Sequence, residues 1–481
     1  MASPLDPKHI PQGGDSLQAF SVLVGGPASI YAGGRNPAGE TYGGGAAAGM
    51  NLSASDTARA AHWSTGPTQA ELIMKALWGS YSFEIESVSG PSVTFGKGGS
   101  HITAAAGGGD FIVENALSEL DDVGEYIHDA AGGKIYLGLP KGTARTVEME
   151  LTLAQLARVV AVVGTRDTPV RNVTLSGLTL AHTQSTRLSQ PYESPSNGDW
   201  TVVRTGAVFG EGVEGLTVER CRFARTGSYG VMISGHARDV AVSDNVFWLT
   251  GESAVVIAGE YAAGVVSSAT DHFPLRTTVR GNYCYHPGVN NLQSSIFFQA
   301  LAVQSHVLDN VCFDGPRMAF QLNDQMGGGT VVEGNVAWSM VMETEDSGVM
   351  HQWGRHPYLT DLNKDAGYQW SLAPAMNRIT RNLFIGNGAR WTYGRAGRRF
   401  AIETDDASSY IRFDHNVFCY GSTDSWLGHD LQMDNNLLVR VDLSGTDDPT
   451  IDSPTCVWSL FNASYWDSLG GRNNSFANNT W

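Results

Sequence analysis

One short phrase recurs eight times between Leu216 and Leu438, and its spacing leaves few folds open to the chain. An apolar residue is followed three places later by Asn, and two places after that by a second apolar residue. The Asn column reads Cys221 (the exception), Asn245, Asn282, Asn310, Asn335, Asn382, Asn416 and Asn436. Three residues earlier stand Val218, Val242, Val279, Val307, Val332, Ile379, Phe413 and Met433. Two residues later stand Phe223, Phe247, Cys284, Cys312, Ala337, Phe384, Phe418 and Leu438. A constant unit with variable length between copies is the mark of stacked coils whose loops grow outward. The apolar residues flanking the Asn then point inward and meet their equivalents one coil away. An Asn amide carries donors and an acceptor, so it can bond the backbone of the next turn and build a ladder. The expectation is an all-β solenoid of parallel strands, starting near Val173, where Val173, Leu175, Leu178 and Leu180 form an irregular first rung. Phe476, Asn479 and Trp481 repeat the phrase once more, which reads as a solenoid cut before its cap.

The first 165 residues lack this phrase. Short alternating segments (Tyr81–Val88, Phe111–Glu114, Lys134–Leu139) separated by Gly-rich stretches read as a small β-sandwich-like module. The division expected is therefore a disordered or truncated 1–19, a β module over 20–165 and the solenoid over 166–481. Leu151–Val163 reads as a joining helix, because Thr152 can cap it and Leu153, Leu156 and Val160 share a face. Long stretches between rungs (Thr186–Arg204, Glu260–Arg276, Gly354–Asn377, Gly386–Arg399, Arg440–Arg472) gather on one side of a solenoid and wall a cleft.

Charge and cysteine content exclude several function classes. A net charge of −17 argues against nucleic acid, and Lys364 is the only lysine of the coil region. No apolar run is long enough to span a membrane. Met1–Gln18 is polar and proline-bearing, so no signal peptide is visible. Five cysteines give neither a disulfide framework nor metal spacing. Cys284 and Cys312 share an inward column and read as small core residues, with a stacked disulfide as the alternative in an oxidising compartment.

Two groups of residues resemble the right-handed parallel β-helix glycoside hydrolases that include xylosidase and fucosidase families. The first is Glu114-Asn115-Ala116, Glu119-Leu120-Asp121, Gly124-Glu125-Tyr126 and Lys134-Ile135-Tyr136, similar to their β-sandwich piece. The second is Gly315-Pro316-Arg317, Asn323-Asp324 and Gly327-Gly328-Gly329, then Glu343-Thr344-Glu345-Asp346-Ser347-Gly348 and Trp353-Gly354-Arg355. With the repeats, the likeness spans roughly residues 20–440, although this chain has no coils before the sandwich-like module. The resemblance implies a right-handed parallel β-helix (the pectin lyase-like fold), hydrolysis of a plant, algal or microbial glycan, no organic cofactor and an extracellular setting. A monomer is expected.

The strand after each Asn column aligns as Val231–Gly235, Val255–Gly259, Phe297–Gln299, Ala319–Asp324, Val349–Trp353 and Phe400–Asp405. Its exposed positions are small or apolar in the early copies and turn polar or aromatic from Gln299 onward, which is where a ligand groove would form. Trp338, Trp353, Tyr358, Trp370, Trp391 and Tyr393 offer flat faces for sugar rings. Asp324 is the first catalytic candidate, as nucleophile or base: it ends an apolar strand and precedes three glycines that let the backbone turn away. An Asp capping its own Gly turn is the plain alternative. Asp346 and Glu343 are the candidate proton donors. Asp346 follows Asp324 by 22 residues (346 − 324), close to one coil. Stacked strands lie about 4.8 Å apart; carboxyls about 5–5.5 Å apart suit a retaining glycosidase and about 6.5–9.5 Å an inverting one. Aligning Val349 with Ala319 instead puts Asp346 before a strand and Asp324 after one, and a tighter turn near Trp338–Met340 would restore stacking. Arg317, Asn323, His351, Trp353, Arg355, Glu403 and Asp405 are candidate substrate contacts. Two other functions fit the same scaffold. A polysaccharide lyase or uronate epimerase would hold Ca²⁺ on Glu403, Asp405 and Asp406, with Arg317 as base. An inactive glycan-binding solenoid would keep the scaffold alone.

Overall fold

The computed structural model describes residues 29–32, 47–76, 79–99, 111–143, 152–193, 195, 200–260, 272–323, 328–344, 347–353, 358–362, 371–374, 376–386, 399–405, 408–425, 430–439 and 474–480. The chain forms two compact units: Met1–Ala154 with Thr186–Glu193, and Gln155–Ser185 with Ser194–Trp481.

The first unit is built on a six-stranded antiparallel sheet, with the pair Tyr126–Asp129 and Lys134–Leu137 beside it in sequence as a separate two-stranded sheet. Its core gathers Met50, Trp63, Leu72, Phe83, Phe95, Phe111 and Val113. Phe83 and Phe95 stack with ring centroids 4.1 Å apart. Trp63 donates its ring N–H to Glu119 at 2.7 Å, so the polar end of the largest core side chain is satisfied.

The second unit is a parallel β-helix. Three parallel sheets, of eleven, ten and nine strands among the described residues, are visited in turn by each coil. One coil, for example, supplies Phe297–Ala300 to the first sheet, His306–Leu308 to the second and Val311–Phe313 to the third. A strand–crossover–parallel strand connection is right-handed in nearly all proteins, which sets the hand of such a coil.

The register follows the repeat. In the second sheet Val242 pairs with Val279, Val279 with Val307 and Val307 with Val332. In the third, Phe223 pairs with Phe247, Phe247 with Cys284 and Cys284 with Cys312. These columns are buried in one continuous apolar core running along the coil. Burying a Phe or Val side chain stabilises by roughly 1.5–3 kcal/mol, so each extra coil lengthens the core it depends on. Cys221, Cys284, Cys312 and Cys419 are free thiols. Cys312 and Cys284 pack as small core residues, and burial pushes the Cys312 thiol well above its ordinary range.

The Asn ladder lies between the second and third sheets. Asn282 Oδ1 accepts both the backbone N–H and the side-chain amide of Asn245, each at 3.0 Å. The same pair of bonds joins Asn282 to Asn310, Asn310 to Asn335, Asn335 to Asn382, Asn382 to Asn416 and Asn416 to Asn436. The amide also donates to a carbonyl of the preceding coil, as from Asn310 to Val279 at 3.0 Å. Cys221 ends the ladder by donating only its backbone N–H to Asn245. The residue before each Asn takes the left-handed conformation: Asp244 at φ 56°, Gly281 at 66°, Asp309 at 54° and Gly334 at 69°. That conformation turns the chain sharply from one sheet to the next, and the ladder bonds offset its strain.

Two expectations need correction. Leu151–Val163 contains no helix among its described residues. Val160–Val163 is a strand paired in parallel with Val208–Glu211, so the solenoid sheet begins before the expected boundary at 165/166. The supposed helical face is not buried: Leu153 and Leu156 are 58% and 65% exposed. A run of β-branched residues completing a sheet edge outweighed the helical spacing. Gln299 is the second correction. It pairs with Ile257 and Leu322, both core residues, and so faces inward, where its amide donates to Thr330 at 3.0 Å.

Candidate active site

Alternation along the first sheet sorts its residues between core and outer face. Phe297, Phe320, Met350 and Ile402 are register partners and lie in the core. The outward file is one residue on. It runs Met232, Val256, Phe298, Gln321, His351 and Glu403. Apolar for three coils, it turns polar at Gln321 and stays so. The change expected on this face is present, one coil later than Gln299 suggested.

A second outward file, two residues further along each strand, carries Trp353 beside Asp405. Asn323 continues it one coil back: it follows Leu322, the partner of Gln352, and its backbone N–H donates to Gln299 at 2.8 Å. Gln321 donates its amide to the Asn323 side chain at 3.0 Å, which fixes both groups. Gln321, Asn323, His351 and Glu403 are each buried to within a few per cent, whereas Trp353 and Asp405 are half-buried and reach solvent.

His351, Glu403 and Asp405 converge. One ligand-type atom from each lies within 4.8 Å of the others. His351 Nε2 stands 3.5 Å from Glu403 Oε2. Burial, and secondarily the positive charge of Arg317, hold the imidazole well below its ordinary value of 6.5, so the ring is neutral.

Arg317 lies one coil corner earlier and is only 2% exposed. Its Nε donates to Ser347 at 3.2 Å, and its guanidinium lies 4.8 Å from the centre of the Trp200 ring. Trp200 also stacks on Phe298, with centroids 4.8 Å apart. Trp200 was not legible as a site residue, since insertions carry no periodicity; its one signal was an aromatic in a stretch expected to wall the cleft.

The two family-like segments meet in space. Val341, Met342 and Glu343 donate their backbone N–H groups to the carbonyls of Arg317, Gly315 and Pro316, at 2.9, 3.2 and 2.9 Å. Glu343 is half-buried on this corner, before the strand that carries His351. Asp324, Asp346 and Arg355 lie outside the described residues, as do Trp370, Trp391 and Tyr393. Ala319 donates to Val349 at 2.9 Å, so Ser347 begins its strand level with Arg317, while Asn323 follows directly on the adjacent strand, Phe320–Leu322. Gly328 and Gly329, beyond Asp324, take φ values of 76° and 72° that only glycine adopts without strain. Trp338 faces outward on the third sheet, stacked 4.4 Å from Phe313, and so belongs to a different face from His351.

The fold is shared with a solved protein described as a glycoside hydrolase. That match has a TM-score of 0.59 at 13% identity and covers 87% of this chain and 75% of the other. A catalytic domain of a GH87 alpha-1,3-glucanase in complex with nigerose matches at a TM-score of 0.34 and 10% identity, over 96% of this chain and 88% of that one. No protein-family profile and no curated protein sequence matches the chain. Among the described residues, no helix is long and apolar enough to cross a membrane.

Proposed function

We propose that this chain is a glycoside hydrolase that cleaves a polysaccharide or oligosaccharide on the outward face of its first sheet. The observation that carries the reading is the outward file itself. It changes from apolar to amide, imidazole and carboxylate between Phe298 and Glu403, on a fold shared with a glycoside hydrolase. Amides and carboxylates placed by a rigid sheet suit sugar hydroxyls, and the half-buried Trp353 offers a ring to a sugar face.

In this reading Asp324 acts as nucleophile or base, and Asp346 or Glu343 protonates the leaving oxygen. Hydrolysis needs two such carboxyl groups on opposite sides of the scissile bond. Trp353, Arg355 and Asp405 would contact the sugar, while Asn323, His351 and Glu403, which are buried, would form the floor of the site. Arg317 supports from beneath: it is enclosed by Trp200 and Ser347, a poor position for the base that a lyase requires.

The test is reducing-end release from a panel of α-glucans, β-glucans, xylans and fucosylated glycans, repeated with Asp324→Asn, Asp346→Asn and Glu343→Gln. Wild-type turnover on one substrate class is expected. Loss of Asp324, and of whichever acid donates the proton, should lower kcat by about 10²–10⁴-fold. Products absorbing as unsaturated uronates, or turnover unchanged by Asp324→Asn, would overturn the assignment.

A further inference from the structure

We infer that His351, Glu403 and Asp405 form a binding site for a divalent transition-metal cation of the zinc class. The three come from two adjacent strands in fixed register, His351 beside Glu403 and Trp353 beside Asp405, so the sheet itself positions them. Their ligand-type atoms already lie within 4.8 Å of one another. Zinc bonds N and O ligands at about 2.0–2.2 Å, which places tetrahedral ligand atoms about 3.4 Å apart. His351 Nε2 and Glu403 Oε2, at 3.5 Å, stand at that separation, and Asp405 brings a carboxylate oxygen to within 4.8 Å of the other two ligand atoms.

A second observation points the same way. His351 is 3% exposed, and neither ring nitrogen has a hydrogen-bond partner among the described residues. Leaving such a group buried without a partner is costly, and coordination would remove that cost. An imidazole nitrogen with two carboxylates favours zinc or manganese over calcium, which takes oxygen ligands alone. Two carboxylates also balance the charge of a divalent cation. Three protein ligands leave a position open for water or a sugar hydroxyl.

The full chain, stripped with chelator and dialysed, is titrated calorimetrically with zinc chloride, manganese chloride and calcium chloride, and bound metal is counted by elemental analysis. About one zinc per chain is expected, bound more tightly than calcium. His351→Asn and Asp405→Asn should each weaken zinc binding by more than about 100-fold, beyond the loss typical of outer-shell changes. His415→Asn, at a corner between the second and third sheets, should leave binding unchanged. Circular dichroism checks that the variants fold; should His351→Asn fail, Asp405→Asn decides alone. Less than about one zinc per ten chains, full affinity retained in the folded variants, or calcium bound in preference to zinc would each overturn the site. No sugar is present in the titration, so its result is independent of whether the chain hydrolyses glycans.

Discussion

His351 illustrates what a single buried side chain contributes to the behaviour of the whole chain. Its folded pKa lies below the ordinary 6.5, first through burial and then through Arg317. Below pH 6.5 the unfolded chain takes up a proton that the folded chain refuses, so acid favours unfolding. Stability is therefore unaffected above that value and falls as the pH drops beneath it, by at most about 1.4 kcal/mol per pH unit. With chelator present, His351→Asn should flatten the dependence of the denaturant midpoint on pH between about 5 and 6.5. An unchanged slope would show that the imidazole is protonated in the folded state. The sequence made His351, Glu403 and Asp405 legible as polar interruptions of an apolar strand. It misled at Gln299, because a polar residue inside the coil looks the same as one outside until its partner Thr330 is known.

Among the elements, the Asn ladder was the most legible, since its chemistry demands the same residue at the same corner of every coil. Replacing Asn310 with Ala leaves the backbone and side-chain donors of Asn282, and the carbonyl of Val279, without their bonds. A loss of roughly 2–5 kcal/mol is expected by chemical denaturation; a change under about 0.5 kcal/mol would mean that water replaces the ladder. Cys284 and Cys312 are buried on adjacent coils, so a thiol reagent should label them only on unfolding. Labelling of both in the native state would contradict the packed column. The segment before Val160 was not legible because its helical spacing and its β-branched end point to different structures, and the sheet edge decides between them. The proposed acids Asp324, Asp346 and Glu343 are not part of the repeated phrase, which is why their pairing could not be read from its spacing alone.

At the scale of the molecule, the chain leaves its β-helix unit at Ser185, contributes Thr186–Glu193 to the N-terminal unit, and then re-enters the β-helix. Arg187 fastens that excursion. It pairs with Glu71 at 2.7 Å and more closely with Glu114, whose own pKa is raised by burial. Arg187→Ala strands a buried carboxylate and should destabilise the N-terminal unit by about 3–5 kcal/mol, read as a lower first unfolding transition. No change would show the excursion to be a passive loop. The central claim is that stacked coils assemble one glycan-binding file on the first sheet. Its most direct test is a crystal structure of the Asp324→Asn variant soaked with the shortest oligosaccharide released in the turnover screen. The account predicts sugar density against the solvent-reaching Trp353 and Asp405; density confined to the third sheet's aromatic row of Trp248, Tyr285, Phe313 and Trp338 would contradict it.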